Sequence, residues 1–163
     1  MPTPTRATAP TTTAVNGQPN TVAIPAQGVH ASIDGCAVVD RSLLPPADVG
    51  RTCQWLGGAR LDARSGTTVL VGEAQWAGRG PAAFGRIGEL AAGEQIVTYG
   101  SGATATRWRI VEVFRRAKFD GIYPGAFVDG GGPRRLYLIS AGGRFDGARG
   151  AFLDNVYVQA VPA

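Results

Sequence analysis

Polar and apolar residues alternate in short runs along this chain, and glycine or proline interrupts most of them. Residues 21–25 (TVAIP) have the pattern of a short strand stopped by its proline. Residues 31–40 alternate around Ile33 and carry an Asp34-Gly35 turn signal. Residues 67–72 (TTVLVG) form a continuous apolar, β-branched run, the pattern of a strand covered on both faces. Residues 82–90 (AAFGRIGEL) repeat Phe84, Ile87 and Leu90 at helical spacing and predict a short helix. Residues 95–99 predict a strand, and Gly100-Ser101-Gly102 a hairpin turn. The turn leads into a long strand over 105–116, with Trp108, Ile110 and Phe114 on one parity and Arg107 and Arg109 on the other. Residues 121–127 read as a helical turn. Residues 135–140 and 151–161 read as the last strands, joined by a Gly-rich loop over 142–150. Seven or eight strands with one or two short helices and no repeat predict an all-β fold, a closed or nearly closed antiparallel barrel or sandwich.

The 163 residues suit one domain with a tail. Residues 1–20 are nearly all Thr, Pro, Ala, Asn, Gln and Gly, too polar to offset their ordering entropy by burial. They read as a tether or docking arm ahead of a barrel domain over 21–163. A net charge of +4 is mild, and the arginines are spread out (Arg41, Arg51, Arg60, Arg64, Arg79, Arg86). The densest groups, Arg115-Arg116-Ala117-Lys118 and Arg134-Arg135, read as solvated strand ends, so no nucleic-acid partner is expected. No apolar run approaches the roughly 20 residues of a membrane span. The opening MPTPTR lacks the apolar stretch of a secretory leader, so neither span nor signal peptide is expected in this sequence.

Cys36 and Cys53 stand 17 apart, outside any CxxC motif, and His30 is the only histidine. Two thiols are too few for a structural zinc site, and no metal or cofactor is expected. The plainest reading is one disulfide closing the loop between them in an oxidising compartment; the alternative is two unrelated buried thiols. His30 reads as a surface imidazole.

Three segments resemble the sortase family, and within it the actinobacterial class F type. Val22-Ala23-Ile24-Pro25-Ala26-Gln27-Gly28-Val29 resembles the opening strand "IPxxGV". Gly66-Thr67-Thr68-Val69-Leu70-Val71-Gly72, followed by Glu73, resembles a "VLxGH" strand end, with Ile87-Gly88-Glu89-Leu90-Ala91-Ala92-Gly93-Glu94 as the later "L/IxxLxxGD". Arg135-Leu136-Tyr137-Leu138-Ile139-Ser140-Ala141-Gly142-Gly143-Arg144-Phe145-Asp146, with Asp154-Asn155-Val156 beyond, resembles "LxLITCGGxFD…YxDNVxV". Together they span about residues 22–160 in order. The resemblance implies a sortase β-barrel, as in membrane-tethered extracellular transpeptidases. It also implies a groove for an extended peptide between the Glu73 loop, the Ala141 strand end and the Gly-rich loop.

A sortase cleaves with a Cys nucleophile, a His proton carrier and an Arg at the oxyanion, the three parts acyl transfer requires. By the resemblance, Glu73 stands at the His position, Ala141 at the Cys and Leu153 at the Arg. Ser140 neighbours the nucleophile position, but strand alternation turns its hydroxyl to the other face. Cys36, Cys53 and His30 lie outside these catalytic positions. Ser140 for Thr and Ala74 for a β-branched residue, beside three lost catalytic groups, fit natural drift better than one engineered replacement. The expectation is a pseudoenzyme: a structural or peptide- or protein-binding module of a cell-surface or virion assembly, extracytoplasmic, with residues 1–20 able to contact neighbouring copies. The alternative is a cysteine transpeptidase inactivated by substitution and acting on wall-sorted proteins. Trp76, Arg144 and Phe152 are the candidate groove lining. Phe84, Phe119 and Tyr123 are further aromatic candidates, set against the plainer reading that such residues fill the core.

Overall fold

In order along the chain, the strands are β1 (Thr21–Ile24), β2 (Val29–Gly35), β3 (Ala37–Val39), β4 (Ser42–Leu44), β5 (Thr52–Gln54), β6 (Thr67–Gly72), β7 (Gln75–Trp76), β8 (Gly80–Pro81), β9 (Gln95–Tyr99), β10 (Ala105–Ala117), β11 (Arg135–Asp146) and β12 (Ala151–Pro162). They come from a computed structural model that describes residues 18–39, 42–46, 48–76, 80–128 and 131–163. The expected arm over residues 1–20 therefore lies, up to residue 17, outside the described residues.

Eight of these strands close a barrel in the order β1-β2-β5-β6-β11-β12-β10-β9, while β3-β4 and β7-β8 form separate two-stranded pairs. Closure is as the turn spacing predicts, but the barrel is not wholly antiparallel. β2 pairs parallel with β5, and β6 parallel with β11. Parallel neighbours need a long crossover; the β3-β4 hairpin lies within the first connection and β7 to β10 within the second.

The barrel interior is packed with Ile24, Leu70, Phe84, Trp108, Leu136 and Leu138 among others. A second apolar cluster lies on the outer face of the same sheet, where Val69, Val71, Tyr137, Ile139 and Tyr157 are covered by Leu43, Trp55, Tyr123, Ala126 and Phe127. β6 is thus buried at all six positions, which explains why TTVLVG shows no alternation.

Four expectations are corrected. Phe84, Ile87 and Leu90 are buried, but glycines 85 and 88 interrupt the segment, which forms turns with a single 3-10 turn at Ile87–Glu89. Residues 121–127 likewise form turns rather than a helix, after a 3-10 turn at Lys118–Asp120. A register shift between Ile110 and Glu112 moves Phe114 off the face of Trp108 and Ile110. Phe114 instead stacks on Tyr157 in the outer cluster, at 5.2 Å between centroids. Finally, the Gly-rich segment is mostly strand: β11 runs on through Gly142 and Gly143 to Asp146, leaving only residues 147–150 as a turn.

Cys36 and Cys53 form a disulfide with 4.8 Å between Cα atoms, tying the start of the β3-β4 hairpin to β5. At the end of the barrel where β6 begins, Arg134 departs from the expected solvated strand end. Its guanidinium lies 4.9 Å over the Trp108 ring. It donates to Thr68 Oγ1 at 2.7 Å and to the carbonyls of Arg60, Leu61 and Gly66 at 3.0 to 3.1 Å. Burial holds its pKa below the usual arginine value, and among the described residues it has no ion-pair partner. A planar fork is the only cationic group that meets this fan of acceptors while stacking on an indole.

Replacing Arg134 with Ala is expected to lower the unfolding free energy by about 3 kcal/mol in urea titrations, with Lys recovering less than half. The double variant Cys36→Ser/Cys53→Ser is expected to lose about 3 kcal/mol, the loop-closure contribution, measured the same way without reductant.

Candidate functional site

β6 and β11 leave their shared parallel ladder at one end of the barrel, and their register places two residues side by side there. Val71 lies opposite Ile139, so two positions on Glu73 falls beside Ala141. Ala141 in turn pairs with Asn155 of β12. Strand alternation puts Glu73 with Val71, Ala141 with Ile139, and Leu153 with Asn155 on the outer face of the sheet. All three singled-out positions therefore share one face. Leu153 is half-buried and lines no part of the hollows described next.

Two hollows open at this end, of about 730 and 330 Å³, and share Ala74, Gln75, Ala141 and Phe152. The larger runs between the turns at residues 84–89 and the strands, against Val113, Arg115 and Val156. The smaller is lined by Glu73, Lys118, Phe145 and Gly150. Together they form one groove with a floor of glycine and alanine. The floor is close-packed from below: a Cβ at Gly142 would come within 2.4 Å of the Val156 side chain. One at Gly143, whose φ is +74°, would meet the Asp154 carboxylate at 2.2 Å.

Phe152 lines both hollows and packs edge-on against Phe145, 5.2 Å between centroids. Arg144 is exposed and lines neither, while the Trp76 side chain lies outside the described residues. Phe84 forms an inner wall and is almost wholly buried. Tyr123 belongs to the outer cluster, where its backbone N–H donates to the Tyr157 hydroxyl at 3.1 Å. Phe119 is 98% exposed.

Arg115 and Lys118, read from sequence as parts of a solvated strand end, stand on the groove wall. The available signal was position: Arg115 lies opposite Val156 on β12, on the groove side once the β10 register shift is known. Arg86 and Glu89 pair at 2.8 Å with both side chains more than half exposed, so their pairing adds little stability. The Arg86 carbonyl also accepts from Gln27 Nε2. Among the described residues Arg115, Lys118 and Glu73 have no ion-pair partner. The groove is thus largely apolar with three uncommitted charges.

Among the described residues, no thiol, hydroxyl or imidazole lines this groove. Both cysteines of the chain are joined to each other, leaving no free thiol. The sole imidazole, His30, lies on β2 opposite Ala23 of β1, away from the groove lining, with its Nε2 buried and unpartnered. Ser140 pairs with Val156 rather than with Asn155; it is 3% exposed, and its hydroxyl donates to the Ala141 carbonyl at 3.4 Å. Among the described residues no three His, Cys, Asp or Glu side chains gather around a point that would hold a metal. Nor is any described helix long and apolar enough to cross a membrane.

No family model matches the chain, and no curated protein sequence matches it. Solved structures do, and they are sortases. Sortase E1 from Streptomyces coelicolor, solved with a tripeptide in its active site, is 18% identical, with a TM-score of 0.60 over 90% of this chain and 89% of that one. Sortase C1 of Streptococcus agalactiae, in complex with MTSET, is 12% identical, with a TM-score of 0.66 over 88% and 67%. Sortase A from Corynebacterium diphtheriae is 14% identical, with a TM-score of 0.63 over 88% of this chain but only 59% of that one, less than two thirds of its length. The chain has the sortase fold.

Burial lowers the His30 pKa below 6.5. The unfolded chain then binds that proton more tightly, so His30 favours the folded state above pH 6.5 and this contribution is lost as the pH falls through the folded-state value. The expected result is an imidazole NMR titration midpoint below 6.5, with a fall of Tm on acidification that is smaller in the variant His30→Gln.

Proposed function

We propose that this chain is a pseudosortase, resembling the actinobacterial class F type, whose groove holds an extended peptide or protein segment without cutting it. One observation carries the reading: the only two cysteines of the chain are spent in a disulfide, while alanine stands at the strand end beside Glu73. Cysteine-dependent acyl transfer needs a thiolate, a proton carrier and a cationic donor in one cleft. Here the corresponding positions are Ala141, Glu73 and Leu153, which offer a methyl group, a carboxylate and an isobutyl group. What remains suits binding: a backbone-rich floor that an extended segment approaches closely, and aromatic walls at Phe152, Phe145 and Phe84. The tripeptide in the active site of the Streptomyces coelicolor sortase E1 structure supports a peptide as the kind of ligand.

The domain is residues 21–163, with residues 1–20 as its arm. The disulfide suits an oxidising, extracytoplasmic setting, on a cell surface or a virion. The partner is a protein or an extended peptide rather than a nucleic acid.

The test compares the parent with the variant Glu73→His/Ala141→Cys/Leu153→Arg, scoring cleavage of a fluorogenic sorting peptide and binding to a library of extended peptides. The parent is expected to cleave nothing and to bind library members, with Phe152→Ala weakening that binding about tenfold or more. Cleavage by the parent would overturn the proposal. A cleaving triple variant beside a parent that binds no peptide would favour the alternative, a transpeptidase inactivated by substitution that acts on wall-sorted proteins.

A further inference from the structure

The groove is charged unevenly from wall to wall. On the side of the turns at residues 84–89, Arg86 and Glu89 neutralise each other at 2.8 Å. On the side of β10 the cations stand alone. Arg115 pairs across to Val156, whose side chain lies in the barrel interior. Directly opposed residues share a face, so Arg115 projects over the groove mouth. Arg116, one step on, turns to the outer cluster and lies 5.1 Å over the Tyr123 ring. Lys118, just past the end of β10, returns to the groove at its smaller hollow. Strand alternation thus divides the basic run at the end of β10: one cation stacks on an aromatic ring, and two face the groove.

Those two cations are uncommitted, since among the described residues neither makes an ion pair. The one carboxylate left beside them is Glu73, at the smaller hollow, while the larger hollow holds Arg115 as its sole uncommitted charge. The uncommitted charge of the groove is therefore net positive. Apolar walls such as Phe84 and Phe152 focus that field toward whatever lies between them. Arg115 and Lys118 are three residues apart in sequence, about 10 Å on an extended backbone. An extended ligand covers the same distance in about three of its own residues.

We infer that the groove selects acidic extended segments. Its occupant is a stretch of protein with two carboxylate side chains about three residues apart, one meeting Arg115 and one Lys118, its backbone lying over Gly142 and Gly143. The inference rests on the peptide-binding reading and names the chemistry of the peptide. Complementary charge of this kind decides which partner binds more than how tightly it is held. The groove therefore discriminates among segments of equal apolar content, and Glu73, which repels the second carboxylate, keeps the preference moderate.

The test is fluorescence anisotropy of the full chain with three labelled peptides on one Val, Ala and Pro framework, carrying two Glu, two Gln or two Lys three residues apart. At low salt the Glu peptide is expected to bind about fivefold tighter than the Gln peptide, with the Lys peptide weakest, and the gap to close at about 1 M salt. Arg115→Gln and Lys118→Gln are each expected to narrow the preference for Glu over Gln about twofold, and Arg115→Glu/Lys118→Glu to turn it toward the Lys peptide. Glu73→Gln is expected to widen it, a gain that damage to the fold does not produce. Arg107→Gln/Arg109→Gln removes as much charge from the other end of β10, away from the groove lining, and is expected to leave the preference intact. If other extended peptides bind but the Glu peptide binds no tighter than the Gln or Lys peptide, this inference is overturned and the peptide-binding reading stands. The same holds if Arg107→Gln/Arg109→Gln abolishes the preference and Arg115→Gln/Lys118→Gln does not. A chain that binds no extended peptide of any charge would overturn both.

Discussion

The parallel pairing of β6 with β11 is the constraint on which the rest of the molecule depends. Because β6 is buried on both faces, its register cannot slip by one residue without exchanging the barrel interior for the outer cluster. With the register fixed, Leu70 and Leu138 point inward together and Val71 and Ile139 outward. The same register brings Glu73 alongside Ala141. β12, paired to the other side of β11, then adds Phe152 and Val156 to the groove. The site is thus a consequence of where one buried ladder ends.

Stability and chemistry draw on different parts of the chain. Sulfur serves the fold, holding the β3-β4 hairpin to β5 beneath the outer cluster. The best-satisfied cation, Arg134, clamps the end of the barrel away from the groove, whereas Arg115 and Lys118 at the groove have no ionic partner among the described residues. Buried polar groups that lack partners are expensive, so unpaired charges persist where solvent or a ligand can satisfy them. The sortase fold, with both cysteines joined and Ala141 at the groove floor, is consistent with the recognition role proposed for it.

Most of the sheet was legible because its signals are local. The unbroken run of β6, the turn at Gly100-Ser101-Gly102 and the two C-terminal strands each follow from residue type and spacing. Disulfide pairing remained open in the sequence, since spacing alone does not bring two sulfurs together. What spacing misjudged was decided by contacts distant in sequence. A single register shift against β12 sends Phe114 outward, which no count of parity along β10 reveals. Close packing on Val156 and Asp154 carries the Gly142-Gly143 pair into β11 as strand rather than loop. For the site, the positions Glu73, Ala141 and Leu153 were singled out only through resemblance. The charges on the groove wall, Arg115 and Lys118, became visible only with the fold.

The most direct measurement is intact-mass spectrometry of the parent chain after incubation with a sorting peptide and hydroxylamine, without reductant. An unmodified protein mass and an uncleaved peptide are expected, since both cysteines are joined and, among the described residues, no thiol, hydroxyl or imidazole lines the groove. A covalent peptide adduct on the chain, or a peptide hydroxamate in solution, would contradict it.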